Sequence, residues 1–216
     1  MKPAHLLGVG LLMLITFNSH AQTQLAVGTV AIYSDGDIEK LIAYDNDHPV
    51  WEDTRKRRYT LADSPLIPRL EYRNLLKPDS DYQVRVTSGN PRDLAIAPVG
   101  QKAHFQLRRQ YRDGTSRMRD WTCEVLSPSQ TRLEGTTHPV NRYKCQRFTP
   151  HKKLLYPVLR ETRLISYSPE LGLTLQLERE TRSGTRMRKL KYLLAPAEAS
   201  AKKIARAHRR VIERNN

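Results

Sequence analysis

Cysteine is scarce in this sequence: among 216 residues only Cys123 and Cys145 occur. Two thiols are too few for a cysteine zinc site, and no histidine stands at metal-ligand spacing from either, so no metal and no cofactor is expected. Gly-x-Ser-x-Gly, His-Glu-x-x-His, a phosphate-cradling glycine loop and a dinucleotide fingerprint are all missing. Internal repeats, heptads and low-complexity tracts are missing too. These absences weigh against an enzyme. They leave open glycoside hydrolysis, whose paired carboxylates are assembled from distant strands. Beyond the first residues there is no apolar run of the roughly 20 residues that a membrane-spanning helix needs.

The first residues carry an export pattern. Lys2 precedes an apolar run at 6–17, and Ser19-His20-Ala21 supplies a small-x-small cleavage site before Gln22. Residues 1–21 read as a signal peptide cut after Ala21, which predicts a soluble mature chain that is periplasmic or secreted. No cysteine follows the cut, so lipid anchoring there is not expected. Residues 22–195 read as one β-rich domain, and 196–216 as a basic C-terminal helix.

Positive charge is abundant. Lys and Arg number 37 against 22 Asp and Glu, a formal net charge of +15, and the leader removes Lys2 alone among the charged residues. Such a balance favours anionic partners in the envelope: lipopolysaccharide, acidic lipid or acidic glycan. Nucleic acid is disfavoured by export. A solvated basic surface is the plainer reading, and nothing in the sequence sets an oligomeric state.

Most of the chain has the period-two alternation of strands. Residues 25–33 and 38–44 flank Asp35-Gly36 as a first hairpin. Pro65, Pro68 and Pro78 exclude a long helix between 60 and 82, and residues 82–87 alternate again before Ser88-Gly89-Asn90-Pro91. Near the C-terminus Leu173, Leu175 and Leu177 alternate with polar residues ahead of Ser183-Gly184. A two-residue turn there sets Leu177 opposite Leu190, Leu175 opposite Tyr192 and Leu173 opposite Leu194, with Glu178 facing Lys189 across the other side. At Asp113-Gly114 a two-residue turn would put Leu107 and Trp121 on opposite faces. An odd loop centred on Gly114, with Gly114 at positive φ, brings Leu107 opposite Trp121 and Phe105 opposite Cys123. The expected fold is therefore mainly β, a curved antiparallel sheet or a partly closed β-barrel or meander. A C-terminal α-helix after Pro196 packs weakly on its own domain or lies on an anionic membrane.

Behind a leader, Cys123 and Cys145 read as a disulfide between antiparallel strands. With the two opposite each other, Val125 faces Tyr143 and Trp121 faces Arg147. Residues 131–134 also look like a strand. Either 127–138 loops out, or that strand intervenes and the thiols stand too far apart to bond.

Trp121-Thr122-Cys123-Glu124-Val125, Gly135-Thr136, Tyr143-Lys144-Cys145 and Tyr167-Ser168-Pro169-Glu170-Leu171-Gly172, with Trp51-Glu52-Asp53 and Arg57-Arg58-Tyr59 upstream, resemble the motifs of a group of exported proteobacterial proteins of unknown function. The chain departs from that pattern at Thr137-His138-Pro139, where an aromatic residue is expected. The resemblance implies a curved antiparallel sheet like that of periplasmic lipoprotein carriers, and it brings no catalytic residues.

The site candidates are few. Asp35-Gly36-Asp37 and Asp45-Asn46-Asp47 lack the ligand spacing of a calcium loop and read as turns. Basic–aromatic clusters at 55–59, 108–112 and 188–192 read as core-facing tyrosines with solvated neighbours. Arg117 and Arg119 share the parity of Trp121, so an anion site, if present, is expected at Arg109, Arg117, Arg119 and Arg147. The function expected is a non-enzymatic envelope protein that binds or carries an anionic or amphipathic component. An envelope hydrolase and an interaction subunit of a secreted assembly are the alternatives.

Overall fold

The computed structural model describes residues 24–67, 69–149 and 156–213. The leader assigned to 1–21 lies outside them. Twelve strands run in chain order: β1 (Val30–Tyr33), β2 (Ile38–Asp45), β3 (His48–Asp53), β4 (Arg57–Thr60), β5 (Glu71–Asn74), β6 (Tyr82–Ser88), β7 (Lys102–Tyr111), β8 (Ser116–Leu133), β9 (Thr136–Thr149), β10 (Val158–Ser168), β11 (Leu173–Thr181) and β12 (Gly184–Leu194). Each pairs antiparallel with its neighbours in sequence, and β1 also pairs with β12, so the meander closes into a barrel. Closure leaves no free sheet edge. It completes what the sequence pattern left as a curved sheet or partly closed barrel.

Cys123 and Cys145 are directly opposite each other and form a disulfide, with Val125 facing Tyr143 and Trp121 facing Arg147. Residues 131–133 neither intervene nor loop out. They continue β8, which turns back into β9 through Glu134-Gly135, both at positive φ as a tight two-residue hairpin requires. A register shift between Leu126 and Ser129 reconciles that even turn with the cysteine pairing, and Pro128, which has no N–H to donate, sits in the shift. The hairpin tip reaches across the barrel end, where Leu193 N donates to Glu134 Oε2 at 3.0 Å.

Two expected registers are off by two residues. At the 112–114 loop Tyr111 N donates to Thr115 O and Gly114 has φ +82°, so the odd loop and the glycine hold. The loop centres on Asp113, however, and Phe105 faces Trp121 while Leu107 faces Arg119. In the C-terminal hairpin the turn is Arg182-Ser183: Leu177 faces Arg188 and Glu178 faces Met187. A shift of two preserves which face each side chain occupies, so alternation alone cannot detect it. The proposed Leu190, Tyr192 and Leu194 face also splits. A bulge opposite Ile32–Tyr33 leaves Leu190 inside with Leu173 and Leu175, and turns Tyr192 and Leu194 outward.

The helix is α1 (Ala201–Glu213), beginning later than Pro196, with Lys203 N donating to Ser200 Oγ at 3.3 Å. Ala207 and Val211 pack on the outward residues Val30, Ile32 and Leu194. Strand β1 is thus covered on both faces, which is why all four of its residues are apolar and buried.

Inside, the up-and-down topology sorts the side chains. The loop at 61–67 inserts Leu66 and Ile67, and the 3-10 turn Pro91–Ala95 inserts Leu94, against Phe105, Trp121 and the disulfide. These loops, with Leu133 beside the 134–135 tip, place apolar groups at one end. The other end carries the turns at 34–37, 112–115 and 182–183, and there arginines occupy the inward positions.

Candidate functional site

Between the apolar end and the cationic end lies a cavity of about 330 Å³, lined by Trp51, Tyr59, Ile67, Ile165, Leu173 and Leu177 on its apolar side. Arg69, Arg109, Arg163, Arg179 and Arg188 line the rest, with Glu39. The volume is at the lower end of ligand pockets, roughly 300–1,000 Å³.

Around β12, β1, β2 and β3 the guanidiniums are neutralised. Arg188 donates to Glu39, lies 3.4 Å from Asp35, and sits over the Tyr33 ring at 3.6 Å. Burial would lower the pKa of Arg188, but Glu39 and its neighbours outweigh that and hold it above the ordinary range. Arg57 pairs with Asp53, whose Oδ1 accepts the backbone N–H of Arg55 and Arg57 at 2.9 Å each. The acidic residues near 35–37 are turn residues, as expected, and they also act as counter-ions.

Around β6 to β11 the balance differs. Glu161, only 1% exposed, is the hub: its Oε1 accepts from Arg163 and Arg179 at 2.7 Å each and its Oε2 from Arg147 at 3.0 Å. Burial pushes this carboxyl up, yet Arg163 and Arg179 dominate and hold it at about 2. Arg163 lies over the Trp121 ring at 4.6 Å and Arg147 at 6.0 Å. Arg119 has no carboxylate beside it among the described residues. Burial first, then the charges of Arg109 and Arg147, bring its guanidinium down to about 10. Arg109 lies over the Tyr82 ring at 3.8 Å, and its buried Nε has no hydrogen-bond partner among the described residues. Arg69 lies over Tyr59 at 4.1 Å, likewise without an acidic partner among them.

Of the four candidate residues, Arg109 and Arg117 are paired across β7 and β8, and Arg109 and Arg147 are both close enough to Arg119 to repel it. Arg117 is exposed at the strand end, 5.5 Å from the Tyr111 ring, and Arg147 is committed to Glu161. The structure adds Arg69, Arg163, Arg179, Arg188, Glu39 and Glu161. A parity signal existed for three of them: Arg163 with Ile165, Arg179 with Leu177, and Arg188 with Leu190 share strand faces with buried or partly buried apolar residues. The basic–aromatic clusters are corrected accordingly. Tyr59 is a core residue as expected, but Arg109 and Arg188 face the interior rather than solvent. No group of three or more potential metal ligands occurs among the described residues, and no helix among them is long and apolar enough to cross a membrane.

No protein-family model and no curated protein matches the sequence. Among solved structures the fold is similar to the crystal structure of the hypothetical lipoprotein YmcC from Escherichia coli K12, with a TM-score of 0.52 and 10% identity over 82% of this chain and 91% of that one. At that identity the likeness is one of fold: this chain and YmcC share the architecture.

Proposed function

We propose that this protein is a non-enzymatic component of the cell envelope that holds an anionic ligand in the arginine-lined interior of its barrel. The observation that carries this reading is the set of inward guanidiniums, Arg69, Arg109 and Arg119, with no carboxylate partner among the described residues. Removing cations from water without counter-ions costs stability, and such a cost persists where a ligand supplies the charge. Lipopolysaccharide, acidic lipid and acidic glycan all fit the charge, and the apolar side of the cavity suits an amphipathic ligand. Export is supported by the leader pattern at 1–21, by the disulfide and by the motif resemblance to exported proteins. The hydrolase alternative gains nothing from Glu161: a general acid needs a raised pKa, and three arginines hold this one low. The interaction-subunit alternative is weakened at α1, whose apolar stripe is spent on the barrel wall.

Trp51 lines the cavity, so binding is readable by tryptophan fluorescence and by calorimetry. Titration at low salt with lipopolysaccharide, phosphatidylglycerol vesicles and oligogalacturonate is expected to show saturable binding by at least one, weakening as salt rises. Arg109→Ala should lower that affinity about tenfold or more, the effect of losing a charged hydrogen bond. If all three ligands fail to bind at low salt, the reading is lost.

A further inference from the structure

Trp51, Tyr59, Tyr72, Tyr82 and Tyr111 are directly paired, each with the next, across β3, β4, β5, β6 and β7. Directly paired residues share a face, and Trp51, Tyr59 and Tyr82 line the interior cavity, so the whole row points inward. It starts beside the cavity at Trp51, which is 1% exposed, and ends at the barrel lip, where Tyr111 adjoins the 112–114 turn. Neighbouring rings touch: Tyr72 and Tyr82 stack at 5.0 Å, and Tyr82 meets Tyr111 edge-on at 6.0 Å.

A guanidinium accompanies the tyrosines of the row. Arg69 lies over Tyr59 and within 5.5 Å of Tyr72, Arg109 over Tyr82, and Arg117 near Tyr111. Arg69 and Arg109 have no acidic partner among the described residues, whereas Arg117 is attracted to Asp113 in the adjoining turn. A second pocket of about 340 Å³ lies behind the row on the outer side of the same wall, where Glu71, Arg73, Gln83, Arg85 and Gln110 alternate with the tyrosines. Its two acids are engaged: Glu71 pairs with Arg73 at 2.9 Å, and Asp81 Oδ1 accepts Asn74 N at 2.6 Å.

From this row we infer that the ligand is an extended acidic oligosaccharide, threaded from the interior cavity to the lip; the inference rests on the anion-binding reading above and narrows its ligand class. Strands stand about 4.8 Å apart, close to the advance of one pyranose unit, so successive acidic sugars would meet successive tyrosine–arginine pairs. Several ring faces are already covered by guanidiniums or by one another, which leaves edges: phenolic hydroxyls and guanidinium N–H groups. Trp51, which lines the cavity, also has a buried indole N–H without a hydrogen-bond partner among the described residues. Edges of that kind suit a ligand rich in hydroxyls and carboxylates. They suit a stacking nucleobase poorly, and the small cavity suits a multi-chain lipid poorly.

The test is a length series of galacturonate with one, two, four and six units. Neutral malto-oligosaccharides of matching length, phosphatidylglycerol vesicles and a single-stranded oligonucleotide serve as competing probes, all on the full chain by calorimetry. Affinity is expected to rise about tenfold or more from the single sugar to the tetramer, with neutral chains binding far more weakly. Arg117→Ala and Tyr111→Leu, both at the lip, should flatten that rise; thermal unfolding confirms that each variant is folded. Galacturonate binding without length dependence overturns the inference but leaves the anion-binding reading standing. Tighter binding of vesicles or oligonucleotide, or equal binding of neutral chains, overturns it as well. Failure of every anionic probe removes both.

Discussion

The barrel wall around β12, β1 and β2 and the wall from β6 to β11 both present arginines to the interior, but they differ in counter-charge. On the first, Arg188 meets Glu39, Asp35 and Asp37. On the second, Arg147, Arg163 and Arg179 share the single carboxylate of Glu161, and Arg109 and Arg119 have none among the described residues. A buried cation with its own carboxylate behaves as a structural tie. One without has an unmet electrostatic requirement, and the cost of carrying it marks that wall as the place where an external anion adds stability. The same residue type therefore has two roles, separated only by what stands opposite it in the lumen.

The largest expected effect is at the hub. Glu161→Gln removes the one carboxylate that pairs with these three arginines among the described residues and should destabilise the fold by about 3–5 kcal/mol in urea denaturation. Glu39→Gln leaves Arg188 with Asp35 and Asp37 and should cost clearly less. Equal losses would erase the contrast between the two walls. Acid provides a second reading of the same carboxyl. Its folded pKa, about 2, lies below the unfolded value, so its contribution is complete above about pH 4.5 and drains away as pH falls toward 2. Glu161→Gln should lose that part of the acid dependence, measured by unfolding free energy against pH.

Opening the disulfide comes next. It closes a separation of 22 residues on the arginine-rich wall, and Cys123→Ser with Cys145→Ser should cost about 3 kcal/mol. Ligand affinity should fall with it, because the bridge holds β8 and β9, which carry Arg119 and Arg147. A stability loss with unchanged affinity would detach that wall from binding.

The smallest effect has the opposite sign. Arg119→Met removes a desolvated cation and is expected to raise stability by about 1 kcal/mol while weakening anion binding. Destabilisation by this variant in a denaturant titration would assign Arg119 to the structural class instead.

Local features were legible because strands have a period of two and hairpins are closed by nearby residues. The pairing of Cys123 with Cys145, Val125 with Tyr143 and Trp121 with Arg147 follows from one antiparallel register. That the loop beside Gly114 is odd follows from the shared parity of Leu107 and Trp121, and the structure sets it at 112–114. Register in absolute terms was not legible: a slip of two residues keeps every face, and so Leu177 faces Arg188 rather than Leu190. Arg117 and Arg119 could be placed by parity with Trp121. Glu161 shares the parity of Ile165, but its role as a hub could not be read, because two of its three arginine partners arrive from β9 and β11.

By itself the sequence determined the β class, the positive charge and the inward parity of Arg119, and it left the two cysteines either bridged or held apart by an intervening strand. Only the tertiary structure decided that the meander closes through β1 and β12, that Glu161 gathers three arginines, and that five aromatic residues align across five strands. The physical reason is that turns and alternation act over a few residues, whereas the lumen is formed by side chains far apart in the chain whose charges are set against one another only when the barrel closes.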